Sequence, residues 1–427
     1  MKIAGCLIPA IAGMLAIAAS TSAQSVPATA SIGGGHTIIP KSSQFTAADS
    51  GTRSHTNVRI FVPDGLSSYP SELPPVAGYG FETPASLACI YGLVPPVQGC
   101  NPNATTTNPA GGSRAIAIVD AYDDPTAASD LAIYSTQFGL PPANLKVVYA
   151  SGSEPAQDPT GGWELEESLD IEMAHAMAPG ATIYLVEANS DYDTDLYPAV
   201  VVGASLVSCG KPACAHGGRG RGEVSMSWAG GEYSTESSSD GFFQYPGVVF
   251  VSGAGDDPGT YYPCASPNVV CVGGTVAARS ILTGNFLYEV AWMDAGGGFS
   301  YYENRPPYQD SIRNVVGATR GTPDVSFDAG GVNSGVWIYD SNDYEGGPGG
   351  WFIAYGTSVG TPAIAAIING AGRFHESSAE ELRVIYSSGR GFTDLERGYC
   401  GPYDSFAASP GWDFCTGVGS PWGYEGK

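Results

Sequence analysis

The sequence predicts an α/β fold, a mostly parallel sheet flanked by helices on both faces in a single catalytic domain. Two observations predict it. From Arg114 onward, short apolar runs alternate with helical segments. Apolar runs alternating with helices mean a sheet covered on both faces, and ligands of such sheets sit beyond the carboxyl ends of the strands.

In chain order, Lys2 and the apolar stretch Ile3 to Ala19 precede Ser20-Thr-Ser-Ala23. A basic start, an apolar run and small residues read as a signal peptide over residues 1–23. A membrane anchor fits less well, because Pro9 and two glycines interrupt the run. Residues 24–113 are expected to be a short pro-segment or N-terminal leader, with one strand signal at Val58 to Val62. The main domain is expected over 114–427. Its strands are read at 115–120, 145–149, 182–186, 224–228, 248–251 and 269–272, and its first helices at 127–138 and 164–178.

The 427 residues carry a formal net charge of −24. That balance argues against nucleic acid or an anionic membrane as partner and suits tolerance of low pH. Nine cysteines leave eight once Cys6 is assigned to the signal peptide. They fall in neighbouring pairs: Cys89 with Cys100, Cys209 with Cys214, Cys264 with Cys271, Cys400 with Cys415. Pairing of neighbours is the simplest connectivity, and it implies a secreted protein, extracellular or periplasmic. Zinc fits poorly because no pair has CxxC spacing with a histidine nearby.

Three segments carry chemistry. Gly356-Thr-Ser358 opens a buried helical run with Pro362 four residues on. A serine hydroxyl there meets free backbone N–H groups that support a developing negative charge. An ordinary helix cap is the alternative. Subtilisin-like peptidases carry their nucleophile in such a turn, but their His-Gly-Thr-His base segment is missing here. On the helix from Glu164, at about 100° per residue, Asp170 lies about 40° from Glu166, Met173 and Met177 about 20°, and His175 about 180°. Two carboxylates thus share an apolar face. Burial and mutual repulsion raise such pKa values and suit proton transfer in acid. Helix N-terminal stabilisation accounts for Glu164 and Glu167, less well for Glu166 and Asp170. Finally, Asp256 follows a buried strand. It is either a local turn cap or a protonated acid that donates to an oxyanion.

Taken in order, Glu166 to Pro179, Gly255-Asp256, Tyr262 to Pro267, Val272-Gly-Gly-Thr275 and Gly356 to Pro362 resemble the sedolisins, or serine-carboxyl peptidases. The resemblance runs from about Tyr91 to Pro421. It implies a subtilisin-like fold and a secreted, acid-active endopeptidase acting through an acyl-enzyme on protein or peptide substrates, as a monomer. It further implies Ser358 as nucleophile, Glu166 as general base and acid, Asp170 as its orienting partner and Asp256 as oxyanion donor. Asp120 matches a strand-end acid that joins the carboxylate network, and Trp228 its aromatic partner. One structural calcium ion is implied by Asp394-Leu395 and Gly411-Trp-Asp413, with the Asp394 and Asp413 side chains, the Leu395 and Gly411 carbonyls and that of Ser409 as ligands. Asp257-Pro258 departs from the family's Ser-Gly after the oxyanion aspartate, and fewer than 100 residues separate Ala23 from Arg114. Two other readings stay open: a catalytically silent binding protein, and a conventional subtilisin using Asp120, His175 and Ser358.

Overall fold

The computed structural model describes residues 34–64, 73–76, 80–208, 221–280, 282–332 and 334–427. Along the chain come β1 (Gly35–Ile38), β2 (His55–Thr56), β3 (Arg59–Pro63) and α1 (Pro84–Ile90). Alternation then begins with β4 (Ala115–Ala121), α2 (Ala127–Phe138), β5 (Asn144–Tyr149), α3 (Gly162–Met177), β6 (Thr182–Ala188) and α4 (Asp193–Val207). Next are β7 (Gly222–Met226), β8 (Trp228–Gly231), β9 (Val248–Gly253), β10 (Tyr261–Tyr262), β11 (Val269–Arg279), β12 (Phe286–Ala291) and β13 (Gly298–Asn304). The last third holds α5 (Arg313–Val316), β14 (Thr319–Thr322), β15 (Val325–Asp328), β16 (Val336–Asp340), β17 (Gly350–Tyr355), α6 (Thr357–Ala371) and α7 (Ser378–Ser387).

The main sheet has eight strands in the order β12-β11-β9-β7-β4-β6-β5, with β15 also paired to β11. Every pairing in it is parallel except β11 with β12. The two-residue period of β4 shows why its run is apolar from Ala115 to Val119. Ile116 and Ile118 enter the core under α3 and α6, whereas Ala117, Val119 and Ala121 enter a second core with Leu196 and Val200 of α4.

The strand expected over 224–228 divides at Ser227. β7 stays in the sheet, while β8 turns away to pair with β2 and β10. The break frees the Ser227 carbonyl from the sheet ladder.

Residues 35–63 were expected to lie in a leader outside the domain, yet they are built into it. β3 stands between β1 and β17 in a four-stranded sheet, and all described residues belong to one compact unit, Ser31–Lys427. A packing boundary therefore does not fall at residue 114. The physical reason is that β17 would otherwise be an open edge, which β3 satisfies.

Disulfides join Cys89 to Cys100, Cys264 to Cys271 and Cys400 to Cys415, as the spacing predicts. The expected Cys209–Cys214 pair and the signal peptide lie outside the described residues. Among the described residues no helix is long and apolar enough to cross a membrane.

Candidate active site

The site forms where α6 starts. Gly356 adopts φ +123°, and a Cβ there would collide with Asp256 Oδ2 and Asn57 O, so the turn needs glycine. Asp256, just beyond the end of β9, receives the Thr357 backbone N–H at 2.8 Å and its hydroxyl at 3.0 Å, both on Oδ1. Its Oδ2 has no hydrogen-bond partner. Burial pushes the Asp256 pKa up to about 7, against the Arg59 charge and the Thr357 donors, which pull it down. A carboxylic acid with a free oxygen at a helix start is suited to donate a hydrogen bond.

Ser358 is fully buried. Its hydroxyl donates to Ser227 O at 3.2 Å, and its backbone N–H donates to Asn57 O at 3.2 Å. Helix α3 packs along α6 and brings Glu166 and Asp170 beneath this serine, both fully buried. Neither oxygen of Glu166 or of Asp170 makes a well-formed hydrogen bond. Burial raises the Glu166 pKa most, and the neighbouring Asp170 and Asp120 add to it, while the Ser358 hydroxyl opposes it. Asp170 is raised by burial and then by Asp120, with the Ser227 hydroxyl opposing. Asp120, at the end of β4, is pushed up to about 8 by burial. These carboxyls cannot all ionise together, so protons are shared among them.

His175 takes no part. It is buried on the far side of α3, where its Nε2 bonds Pro141 O at 2.8 Å, so a conventional Asp120–His175–Ser358 triad is not assembled. Trp228 donates its indole N–H to Val119 O, in the strand that carries Asp120, at 2.7 Å, and its ring stacks on Tyr197. Glu167, for which helix N-terminal stabilisation was the account, is fully buried, and its pKa is raised by burial, then by Glu187, Asp124, Asp120 and Glu164.

Two residues of the site were not expected at all. Asn57 supplies the oxygen that faces Ser358, and Arg59 of β3 is nearly buried beside the Asp256 turn. Arg59 donates to Asp256 O, to Asp257 Oδ1 at 3.2 Å and to Asp294 Oδ2 at 2.8 Å. The strand signal at 58–62 was visible in the sequence, but its partner β17 lies far along the chain.

The Asp394 and Asp413 carboxylates, expected to hold calcium, are joined by one turn. Gly411 N–H donates to Asp394 Oδ2 at 2.7 Å and Ser409 N–H to Asp413 Oδ2 at 2.9 Å, so one turn bridges both carboxylates. Asp413 Oδ1 also caps Cys415 and Thr416 N–H at 2.8 and 2.9 Å. Among the described residues no three His, Cys, Asp or Glu side chains cluster for a metal. An ion here would therefore rely on two carboxylates and main-chain carbonyls, an all-oxygen set that fits calcium.

No family model matches the chain. Kumamolisin from Bacillus sp. (strain MN-32) is 28% identical over 355 residues, which cover 73% of this chain and 59% of that protein. Sedolisin from Pseudomonas sp. (strain 101) is 25% identical over 327 residues, 68% of this chain and 53% of that one. Tripeptidyl-peptidase 1 from Homo sapiens is 27% identical over 183 residues, covering 38% of this chain and 31% of its own length. The structure of Pseudomonas sedolisin (serine-carboxyl proteinase) complexed with two molecules of pseudo-iodotyrostatin superposes with a TM-score of 0.61 at 22% identity, over 80% of this chain and 96% of that one. The chain spans 59% and 53% of the length of kumamolisin and sedolisin. Fold and site together define a subtilisin-like α/β protein with serine and carboxyl groups gathered at the start of α6. Over most of its length the chain is similar to kumamolisin and sedolisin.

Proposed function

We propose that this protein is a secreted, acid-active serine-carboxyl endopeptidase that acts as a monomer on protein or peptide substrates. One observation carries the reading most. The Ser358 N–H donates to Asn57 O at 3.2 Å, and the Oδ2 of Asp256, which has no hydrogen-bond partner, lies with that oxygen beside Gly356. A backbone N–H and an unpaired buried carboxyl oxygen beside a serine hydroxyl are the parts that acyl transfer requires.

In this reading Ser358 Oγ attacks the substrate carbonyl carbon and gives its proton to Glu166. Asp170 orients Glu166 and shares its proton. Asp256, protonated, donates to the oxyanion beside the Ser358 N–H. Glu166 then delivers the proton to the leaving amine, and water resolves the acyl-enzyme by the same route in reverse. Acid activity follows from Asp256. Below about pH 7 it holds the proton it must donate. Above that it is an anion that repels the oxyanion.

Secretion is supported by three disulfides and by the residue pattern of the first 23 positions. One calcium ion would be held by Asp394, Asp413 and the carbonyls of Leu395, Gly411 and Ser409, and would tie the C-terminal loops together without entering the chemistry. The test is hydrolysis of a denatured protein at low pH by wild type, Ser358→Ala and Glu166→Gln. Loss of activity in both variants supports the proposal, and activity surviving in both overturns it. Hydrolysis that withstands only Glu166→Gln would restore a different base.

A further inference from the structure

A cleft of about 440 Å³ opens between the start of α3 and the hairpin that joins β16 to β17. Asp158, Pro159 and Glu164 line it on the helix side, and Ser341, Asn342 and Asp343 on the hairpin side. The two sides are tied together by the Glu345 N–H, which donates to Thr160 O at 3.0 Å. A cleft of this size is in the range of small-molecule sites.

Its donors are already spent within the fold. Asp158 Oδ2 takes the Gly162 and Trp163 N–H groups at 3.0 and 3.2 Å, so those amides of the helix start are closed to an anion. On the hairpin, Asn342 Nδ2 donates to Asp124 Oδ1 at 2.8 Å and to Asp340 Oδ1 at 2.9 Å. The Ser341 N–H donates to Asp130 Oδ2 at 2.7 Å. Acceptors are what remain. Glu164 is 2% exposed; its Oε1 accepts the Asp158 N–H at 2.8 Å, and its Oε2 has no partner. Asp158 is half-buried and Asp343 exposed, so both stand nearer the solvent. A buried carboxyl oxygen without a donor is costly until a proton or a cation meets it.

We propose that this cleft binds a primary ammonium group on an alkyl chain, with Glu164 as its buried counter-ion and Asp158 and Asp343 at the rim. The proposal does not depend on the peptidase reading. An ammonium brings three N–H donors and no acceptor, which suits a lining whose own donors are turned away. A metal ion suits it less, because among the described residues no three acids cluster to ligand one. Acids face Glu164 from each side: Asp158 in the preceding loop, Asp124 beyond β4, Glu167 on α3 and Asp343 across the cleft. Burial, then Asp158 and Asp124, push its pKa up to about 8, against the N–H groups of Glu164 and Asp158. An ammonium beside it favours the ionised form. Binding therefore releases the Glu164 proton to solvent, and it weakens about tenfold for each pH unit below about 8.

The experiment is calorimetric titration of the full chain with 1,4-diaminobutane near pH 7, in two buffers of different ionisation enthalpy. Wild type should bind saturably, one to one, with release of about one proton, and about 100-fold more weakly at pH 5. Uncharged 1,4-butanediol should not bind. Glu164→Gln, with circular dichroism matching wild type, should lose both the binding and the proton release. Asp343→Asn, at the exposed rim, should weaken binding and keep the proton release; it decides the matter with wild type if Glu164→Gln does not fold. A free amine and a lysine side chain share this chemistry. Acetyl-Gly-Lys-Gly-amide, titrated into Ser358→Ala so that no peptide is cut, separates them: binding as tight as the diamine's assigns the cleft to peptide lysines, and failure to bind assigns it to free amines. No saturable diamine binding, binding without proton release, binding that survives Glu164→Gln, or displacement of the diamine by calcium would each overturn the proposal.

Discussion

The backbone N–H of Thr357 donates to Asp256 Oδ1 at 2.8 Å, which ties the acid of one turn to the first residue of the helix that carries Ser358. This leaves Oδ2 as the single free oxygen of that carboxyl group. Replacing Asp256 by Ala should lower kcat by about 10²–10³-fold, the usual cost of losing one oxyanion donor, with a smaller change in KM. Steady-state kinetics at acid pH check this.

The pH profile follows from the same group. Asp256 donates only when protonated, and its pKa is pushed up to about 7, so activity should fall as pH rises through about 7. Asp256→Asn carries a donor at every pH. It should be weaker at its optimum but keep a larger fraction of that optimum at pH 8, read from pH–kcat profiles.

Arg59 lies against the Asp256 turn and lowers that pKa. Arg59→Met should therefore move the alkaline limb of the profile to higher pH. A purely structural role for Arg59 would reduce activity without moving the limb.

Stability should run in the same direction as activity. Glu223, buried and bonded by Asn369 Nδ2 at 2.8 Å, is pushed from an ordinary 4.5 up to about 8 by burial. Asp340 is likewise raised to about 8 and Glu187 to about 9. A carboxyl with a raised folded-state pKa binds its proton more tightly folded than unfolded. Its contribution is full below about pH 4 and is lost as pH climbs to about 8. Thermal melts should thus give a higher Tm at pH 4 than at pH 8. Glu223→Gln should narrow that difference and leave activity at pH 4 unchanged.

Calcium is tested at the C-terminal loops. Chelation should lower Tm, added calcium should restore it, and Asp394→Asn should abolish the response. A Tm indifferent to calcium and chelator would remove the ion from the account.

Much of this site was legible in the sequence because it is encoded locally. Glu166 and Asp170 share a helix face four residues apart, and the helix period alone turns His175 away towards Pro141. The Gly356-Thr-Ser358 turn announces itself by its small residues before an apolar run. Asn57 and Arg59 were not legible, because their roles arise from β3 pairing with β17 nearly 300 residues later. The burial of Glu167 was not legible, because a helix-start acid is ordinarily solvated, whereas here α3 is buried on every side.

The central claim is that Glu166, rather than a histidine, serves Ser358. It is tested most directly by the pH–activity profile of Glu166→Gln beside wild type and Ser358→Ala, on a denatured protein substrate. The account predicts that wild type is active in acid and that both variants lose about 10⁴-fold or more in kcat at every pH. A Glu166→Gln enzyme with near wild-type kcat would contradict it.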